Sequence, residues 1–177
     1  MSKSFLSKAL RMKLKNLKGK YFLDIFIVSL IFFLDRVSKI IVININGNNF
    51  SNEIFSSKFL NIYLIWNKGI AFGLFSFDEN LLYNFVTFLI IFICIILFFM
   101  ILSNIGLKRY FLLMVFGGAL GNLYDRIYFR AVPDFIDLHI ENLHWFVFNI
   151  ADIFITLGVF MLILLEIFFS KKKHEKT

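Results

Sequence analysis

The feature that most constrains the fold is a set of four apolar runs, each long enough to cross the hydrocarbon core of a bilayer. The second run, residues 81–103, consists almost entirely of Leu, Ile and Phe. A helix needs about 20 apolar residues to span this core, and backbone that faces lipid must satisfy its own hydrogen bonds. We therefore predict an all-α membrane protein, built as one domain with a four-transmembrane-helix bundle. Its spans are predicted at about residues 22–45, 81–103, 110–128 and 148–169.

The distribution of charge supports this class and indicates an orientation. Hydrophobic residues make up 59% of the 177 residues, and the formal net charge is +7. Lys and Arg concentrate before the first run and after the last one. The positive-inside rule therefore predicts that both termini are cytoplasmic, and the basic ends are expected to meet anionic lipid rather than nucleic acid. Residues 1–20 are predicted to form a short amphipathic helix on the membrane surface.

Residues 46–80 differ in character from the apolar runs on either side. Asn, Ser and Gly become frequent, and the stretch FLNIYLIWNKGIAFGLF alternates partly in the manner of short β-strands. Because strand backbone cannot face lipid, this segment must lie outside the hydrocarbon or be covered by protein. We predict a small extracytoplasmic β-cradle here, and an interfacial loop between the third and fourth spans.

Acidic residues in and beside the spans are the candidate functional groups, because a carboxylate in a bilayer is costly and marks function by default. They are Asp35, Asp125, Asp134, Asp137 and Asp152. Asp35 and Lys39 stand four apart on one helix face, where they can neutralise each other. Two interpretations of this pair stay open: a purely structural ion pair, or one that also faces the functional site.

Two further pairs combine an amide with a carboxylate. Asn122 and Asp125 share a helix face at the end of the third span, and Asn149 and Asp152 repeat the spacing at the start of the fourth. Each Asn can hydrogen-bond the neighbouring carboxylate or its loop. The third span also carries small residues that permit close helix packing. They are Gly117, Gly118, Ala119 and Gly121.

Two chemistries are open to these carboxylates. Two carboxyl groups at hydrogen-bond distance share one proton, so that one acts as base on a water while the other polarises a carbonyl, as in aspartic proteases. Spacing alone leaves open whether Asp125 or Asp134 is the partner of Asp152. The rival is a metal site that joins His139 and His144 to Asp134 and Asp137. We expect no metal and no cofactor, because closed ligand sets usually have tighter spacing.

Five motifs, in order, resemble those of the lipoprotein signal peptidase family, also called signal peptidase II. They are L-D-R-V-S-K in the first span, N-K-G-I-A-F-G in the cradle, G-G-A-L-G-N-L-Y-D-R in the third span, V-P-D-F-I-D in the connector and F-N-I-A-D at the fourth span. The resemblance covers nearly the whole chain. It implies a bacterial inner-membrane aspartic endopeptidase next to membrane lipid, and we expect the chain to be a monomer. Its substrates would be diacylglyceryl-modified prolipoproteins, cut on the amino side of the lipidated Cys.

The resemblance also implies roles for particular residues. The catalytic pair would be Asp134, in the V-x-D-F motif, and Asp152, in N-x-A-D. Supporting positions, for substrate binding or for the pair itself, would be Asp35, Lys39, Asn67, Gly69, Asn122, Asp125, Arg126 and Asn149. One departure from the family pattern is Pro133, where Val is more common. It removes a backbone donor beside Asp134.

Two other functions remain as alternatives. A small proton-coupled transporter could relay protons along the carboxylates. Against it, the chain has no inverted repeat, and its carboxylates gather on one predicted side of the membrane, near the outer leaflet. A non-enzymatic membrane scaffold would use the polar cluster for helix packing alone.

Overall fold

The computed structural model describes residues 3–48, 53–68 and 79–174. Four long helices account for most of this chain. They are α1 (Lys3–Asn48), α2 (Glu79–Ser103), α3 (Gly106–Phe129) and α4 (Ile150–His174). All four predicted spans fall within these helices or within two residues of their ends. The amphipathic segment predicted at residues 1–20 is not a separate element, because α1 continues from Lys3 through the first span without a break.

A four-stranded antiparallel sheet joins the helices, with the strands in sequence order. Its strands are β1 (Glu53–Ser56), β2 (Leu60–Asn67), β3 (Val132–Ile140) and β4 (Leu143–Phe148). The first two strands lie in the predicted cradle. The prediction of an interfacial loop between the third and fourth spans is wrong, because that segment forms β3 and β4. The fold is therefore mostly helical with a small sheet, and not purely helical.

The second half of the sheet depends on a tight turn and a distant partner. β3 and β4 form a hairpin whose turn has Glu141 in the left-handed region, with φ 53°. β3 also pairs with β2, more than 60 residues earlier, in a register that sets Asp134 opposite Ile65. Pro133 lies opposite Trp66, whereas pairing between β3 and β4 begins at Ile136. Its missing N–H therefore does not interrupt the hairpin.

Apolar side chains cover the outside of the helices as well as their core. The core between α2 and α3 contains Leu97, Ile101, Leu112, Leu113 and Val115. On the outer face of α2, Phe88 is 67% exposed and Phe99 is 61% exposed. Soluble proteins rarely leave such continuous apolar patches in water, whereas lipid accepts them. The exposed faces thus indicate a membrane protein.

Within the described residues, two helices are long and apolar enough to cross a membrane by length and composition. They are Tyr83–Ser103, with a mean hydropathy of 3.3, and Ile150–Phe168, with 2.4. The remaining long helices, α1 and α3, carry the buried charged residues described below. The count of four spans therefore stays a prediction.

Close packing of α3 against α4 depends on glycine. A Cβ added to Gly118 would lie 2.5 Å from the carbonyl oxygen of Ala151, and one added to Gly158 would lie 2.9 Å from that of Phe111. A Cβ added to Gly121 would lie 2.6 Å from Asp35 Oδ2. Backbone therefore approaches backbone where Cβ atoms would keep the helices apart. This packing brings the start of α4 against the polar end of α3.

Candidate active site

Asp152 lies in the first turn of α4, and the helix end itself fixes its orientation. Asn149 precedes the helix, and its Oδ1 accepts a hydrogen bond from the backbone N–H of Asp152 at 3.1 Å. In return, Asp152 Oδ2 accepts a hydrogen bond from the backbone N–H of Asn149 at 3.1 Å. This reciprocal arrangement is a capping box, which satisfies amides that a helix start leaves free. The N-x-x-D spacing thus starts the helix and orients a carboxylate.

Asp134 comes from β3 and is 3% exposed. Its Oδ2 accepts a hydrogen bond from Asn67 Nδ2 at 2.9 Å, and its Oδ1 accepts one from Asn149 Nδ2 at 2.6 Å. Burial raises the pKa of Asp134 to about 6; the two amide hydrogen bonds oppose this rise, and the nearby charge of Asp152 adds to it. A carboxyl group whose pKa lies near neutrality can both give and take a proton there.

Amide side chains connect the two carboxylates. Asn149 contacts both of them, through its side chain to Asp134 and through its backbone N–H to Asp152. Asn122 on α3 donates from Nδ2 to Asp152 Oδ1 at 2.8 Å, and its own Oδ1 accepts from Asn149 Nδ2 at 3.2 Å. No Lys or Arg in the described ranges forms an ion pair with either carboxylate. We call Asp134 and Asp152, with these amides, the amide-held pair.

A second group of carboxylates lies beside the first but has cationic partners. It consists of Asp35, Arg36, Lys39 and Asp125, and we call it the charged quartet. Lys39 Nζ lies 2.9 Å from Asp35 Oδ2 and 2.7 Å from Asp125 Oδ2, with all three side chains fully buried. Arg36 approaches the same two acids, at 3.1 Å from Asp35 and 2.5 Å from Asp125. Two acids and two bases give the quartet no formal net charge.

The quartet is bonded to the pair on two sides. Lys39 Nζ donates to Asn122 Oδ1 at 3.0 Å, which orients the amide that holds Asp152. Asp35 Oδ1 accepts from the backbone N–H of Ala151 at 3.0 Å, at the start of α4, where a negative charge is favourable. Asp35 and Lys39 thus neutralise each other, as their spacing predicts, and also face the candidate site.

Sequence reasoning missed Arg36, which reaches both acids of the quartet. Adjacent residues do not share a helix face, so helical spacing gave no reason to pair Arg36 with Asp35. One signal could have found it. Asp35, Asp125 and Lys39 are two acids with one base, so a second base is expected nearby. The Arg36 guanidinium also lies over the Tyr124 ring, 4.8 Å from its centroid.

The remaining predicted supporting residues, Arg126 and Gly69, are not among the contacts of the pair or the quartet described above. Arg126 is buried, with its guanidinium 5.8 Å from the centroid of the Tyr83 ring, and its backbone carbonyl accepts a hydrogen bond from the Tyr83 hydroxyl. Gly69 lies outside the described residues. Of the four residues in the rival metal hypothesis, three come together, His139, His144 and Asp137, whereas Asp134 is not in this group.

An apolar groove leads to the pair from the side of α4. It has a volume of about 680 Å³, and Asp152 is its acidic lining residue. Its walls come from β3, β4 and α4. Apolar lining residues include Leu138, Trp145, Phe148, Ile153 and Leu157. Such a groove can hold an apolar chain with one end next to a carboxylate.

The fold and the site together define a class: a helical membrane protein that holds two acids with amide partners beside an apolar groove. Comparison with known sequences narrows this class. The model of the family described as signal peptidase (SPase) II matches residues 27–169. A lipoprotein signal peptidase from Pelagibacter ubique is 52% identical over 163 residues, which cover 92% of this chain and 98% of that protein. One from Anaplasma marginale is 40% identical, over 82% of this chain and 84% of that protein.

This chain belongs to the signal peptidase II family, and so to the membrane peptidases. Solved structures agree with the sequence comparison. A bacterial membrane enzyme determined at 2.3 Å resolution superposes with a TM-score of 0.68 and 30% identity, over 87% of this chain and 91% of that one. A second such structure, at 1.9 Å resolution, gives a TM-score of 0.66 at the same identity. The resemblance drawn from the five motifs is thereby confirmed.

Proposed function

We propose that this chain is an aspartic endopeptidase that removes signal peptides from diacylglyceryl-modified prolipoproteins. It cuts on the amino side of the lipidated Cys, and Asp134 and Asp152 activate the attacking water. The observation that carries the proposal is the neutral surroundings of these two acids. Amides hold both of them, and one residue, Asn149, contacts both. Each acid of the quartet, in contrast, forms ion pairs with two cations and has little freedom to exchange protons.

The chemistry follows from the unequal environments of the two carboxyl groups. Asp134, with its raised pKa, carries the shared proton and donates it to the carbonyl oxygen of the scissile amide. Asp152 takes a proton from the attacking water, because Asn122 and a helix-terminal N–H hydrogen-bond its charged form and so favour its role as the base. The C–O bond forms first. The C–N bond then breaks as the leaving amine takes the proton from Asp152 and the carbonyl re-forms by returning its proton to Asp134.

The substrate would reach the acids from within the membrane. A diacylglyceryl group prefers hydrocarbon, and a signal peptide is itself an apolar helix, so both can approach laterally. The groove beside Asp152 is apolar and opens between the sheet and α4. We place the protein in the bacterial cytoplasmic membrane as one domain with four spans, both termini in the cytoplasm and the pair near the outer leaflet. The basic chain ends support this orientation.

Single substitutions of the two acids test the proposal. Asp134→Asn and Asp152→Asn should each lower the cleavage rate of a lipidated precursor by on the order of 10³-fold, because each removes one half of the acid and base pair. Glu141→Gln is the matched control, since it removes a carboxylate at the exposed hairpin turn. Cleavage is followed by the mobility shift of a purified precursor in proteoliposomes. Retained cleavage in either variant would remove that acid from the mechanism.

The same variants separate the alternatives. A transporter would show proton flux in sealed vesicles that depends on these acids and not on a lipoprotein precursor. A scaffold would leave precursor processing unchanged in both variants. We expect neither result, because the acids of the pair and the quartet lie together, and Asp24, the buried acid near the start of α3, is held by Arg109.

A further inference from the structure

Asp137 is the exception among the buried carboxylates outside the pair. The others have an Arg or Lys partner: Asp24 pairs with Arg109, and Asp35 and Asp125 pair within the quartet. Asp137 is 0% exposed, yet its ion-pair partner in the described part of the chain is the imidazole of His144, at 2.8 Å. A buried carboxylate without a full positive charge is costly. Something further is expected to compensate it.

Two histidines lie beside this carboxylate because of the hairpin register. His139 on β3 is directly opposite His144 on β4, and their rings stack at 4.9 Å between centroids. An irregularity in pairing between Asp137 and His139 inserts one extra residue into β4 and brings His144 back towards Asp137. One ligand atom from each of the three residues lies within 4.8 Å of the others.

Two atoms of this cluster have unmet bonding capacity. Asp137 Oδ1 and His139 Nδ1 are both buried, and both lack a hydrogen-bond partner within the described ranges. Buried polar atoms are nearly always satisfied, so two orphans in one cluster of three need an explanation. The hydroxyl of Tyr63, the other titratable group facing Asp137, hydrogen-bonds this carboxylate, but Asp137 Oδ1 and His139 Nδ1 still lack a partner. Water or a cation must supply the missing contacts.

We propose that Asp137, His139 and His144 bind a divalent transition metal ion of the zinc type. Two imidazole nitrogens and one carboxylate oxygen are a ligand set that zinc prefers, with a fourth position left for water. The His144 side chain is 51% exposed, which gives an ion a route from solvent. A bound ion supplies the positive charge that Asp137 lacks and engages the atoms that are now orphans.

In this proposal the ion has a structural role, and its ligands do not include Asp134 or Asp152, although His139 also lines the apolar groove beside Asp152. Asp137 and Asp134 lie three positions apart on β3, so their side chains leave opposite faces of the strand. The ion would clamp β3 to β4 and so stiffen the hairpin that carries Asp134 and walls the apolar groove. The competing interpretation is an ordinary Asp–His hydrogen bond beside two stacked rings. Under that interpretation, the two unpaired atoms would hydrogen-bond water instead of contacting an ion.

Zinc titration of the chelator-stripped, full-length protein in detergent tests the site. Calorimetry with Zn²⁺ alone should give one ion per chain with a dissociation constant of about 10 µM or tighter. His139→Ala and His144→Ala should each weaken binding at least about tenfold, since even the loss of residues behind the ligands costs 10- to 100-fold. His174→Ala, which removes the remaining histidine of the chain, is the matched control and should bind normally.

Spectroscopy and thermal unfolding give a second readout that does not depend on activity. Co²⁺ in the site should produce the visible absorption of a four-coordinate ion, and both histidine variants should lose it. Zinc should raise the unfolding temperature of the native chain and of His174→Ala, but not of the other two. Binding weaker than about 100 µM, or equal binding by all four proteins, would overturn the proposal.

Discussion

The charged quartet and the amide-held pair lie side by side and use the same side chain in opposite ways. In the quartet, Asp35 and Asp125 each contact two cations, and Lys39 is fully buried between them. In the pair, Asp134 and Asp152 contact amides. Cations fix a carboxylate in its ionised state, whereas amides orient it and leave its proton free to move. Under the proposed function, the quartet builds the site and the pair performs the chemistry.

The largest effect should come from removing the cation at the centre of the quartet. Lys39→Met leaves two buried carboxylates with Arg36 alone, and breaking such a buried pair typically costs about 3 to 5 kcal/mol. Thermal unfolding in detergent should show this loss, with less folded protein in the membrane. Lys108→Met removes an exposed cation near the start of α3 and should unfold like the native chain. A small effect of Lys39→Met would mean that the quartet is solvated and not structural.

In the pair, removing a charged group should raise stability instead of lowering it, and the size of this gain should depend on pH. The folded-state pKa of Asp134 is about 6, above its ordinary value of 3.8, so this group's contribution to stability is fully present below pH about 4 and is lost as pH rises through 6. Asp134→Asn cannot ionise and should escape that loss. At pH 7 to 8 the variant should be more stable than the native chain by roughly 1 to 3 kcal/mol, although inactive.

Unfolding temperatures measured from pH 4 to 8 check this prediction, and the gap between the two proteins should open between pH 4 and 6. Asp125→Asn is the matched comparison from the quartet. It should be less stable than the native chain at every pH in this range, because it leaves Lys39 and Arg36 with one acid. If both substitutions shifted stability in the same direction, the distinction between the two groups would fail.

Much of the fold could be predicted from the sequence, because the relevant signals are local. Apolar length predicted the helices, and the predicted start of the fourth span lies within two residues of the start of α4. The sheet was harder. The register of β3 depends on a partner more than 60 residues away, and its hairpin turn contains Glu141 and Asn142 instead of a recognisable Asn-Gly. Local pattern thus could not distinguish β3 and β4 from a loop.

The same limit applies to the candidate site. Spacing alone could not choose between Asp125 and Asp134 as the partner of Asp152, and the family resemblance supplied the choice. The proposed choice of Asp134 has a physical reason, since Asp125 forms ion pairs with two cations and Asp134 forms none within the described residues. Contacts such as Asn67 with Asp134 join residues 67 positions apart, which no helical or strand period relates.

A crowded contact against the quartet should have a smaller effect. A methyl at Gly121 would lie 2.6 Å from Asp35 Oδ2, an oxygen that two cations hold in position. Gly121→Ala should therefore lower stability by about 1 to 3 kcal/mol through overpacking. Gly47→Ala is the control, since a Cβ there meets nothing within 4 Å. Equal unfolding temperatures for the two variants would show that Asp35 can shift freely.

The smallest stability effect should come from the residue that joins the two carboxylates, and it should be accompanied by a disproportionate loss of activity. Asn149→Ala removes a helix N-cap, which costs about 1 kcal/mol. It also removes the one side chain that bonds both Asp134 and the Asp152 backbone. Cleavage should fall by on the order of 10²-fold, because the two acids lose their shared orientation.

Asn149→Ser separates the two roles of this residue, since serine restores the cap but cannot reach Asp134 in the same way. It should recover the unfolding temperature without recovering cleavage, measured as kcat on a lipidated precursor. If activity instead followed stability in both variants, Asn149 would merely hold α4 in place. The pair would then be oriented by Asn67 and Asn122 alone, and the contrast with the quartet would rest on the absence of cations and not on the bridging amide.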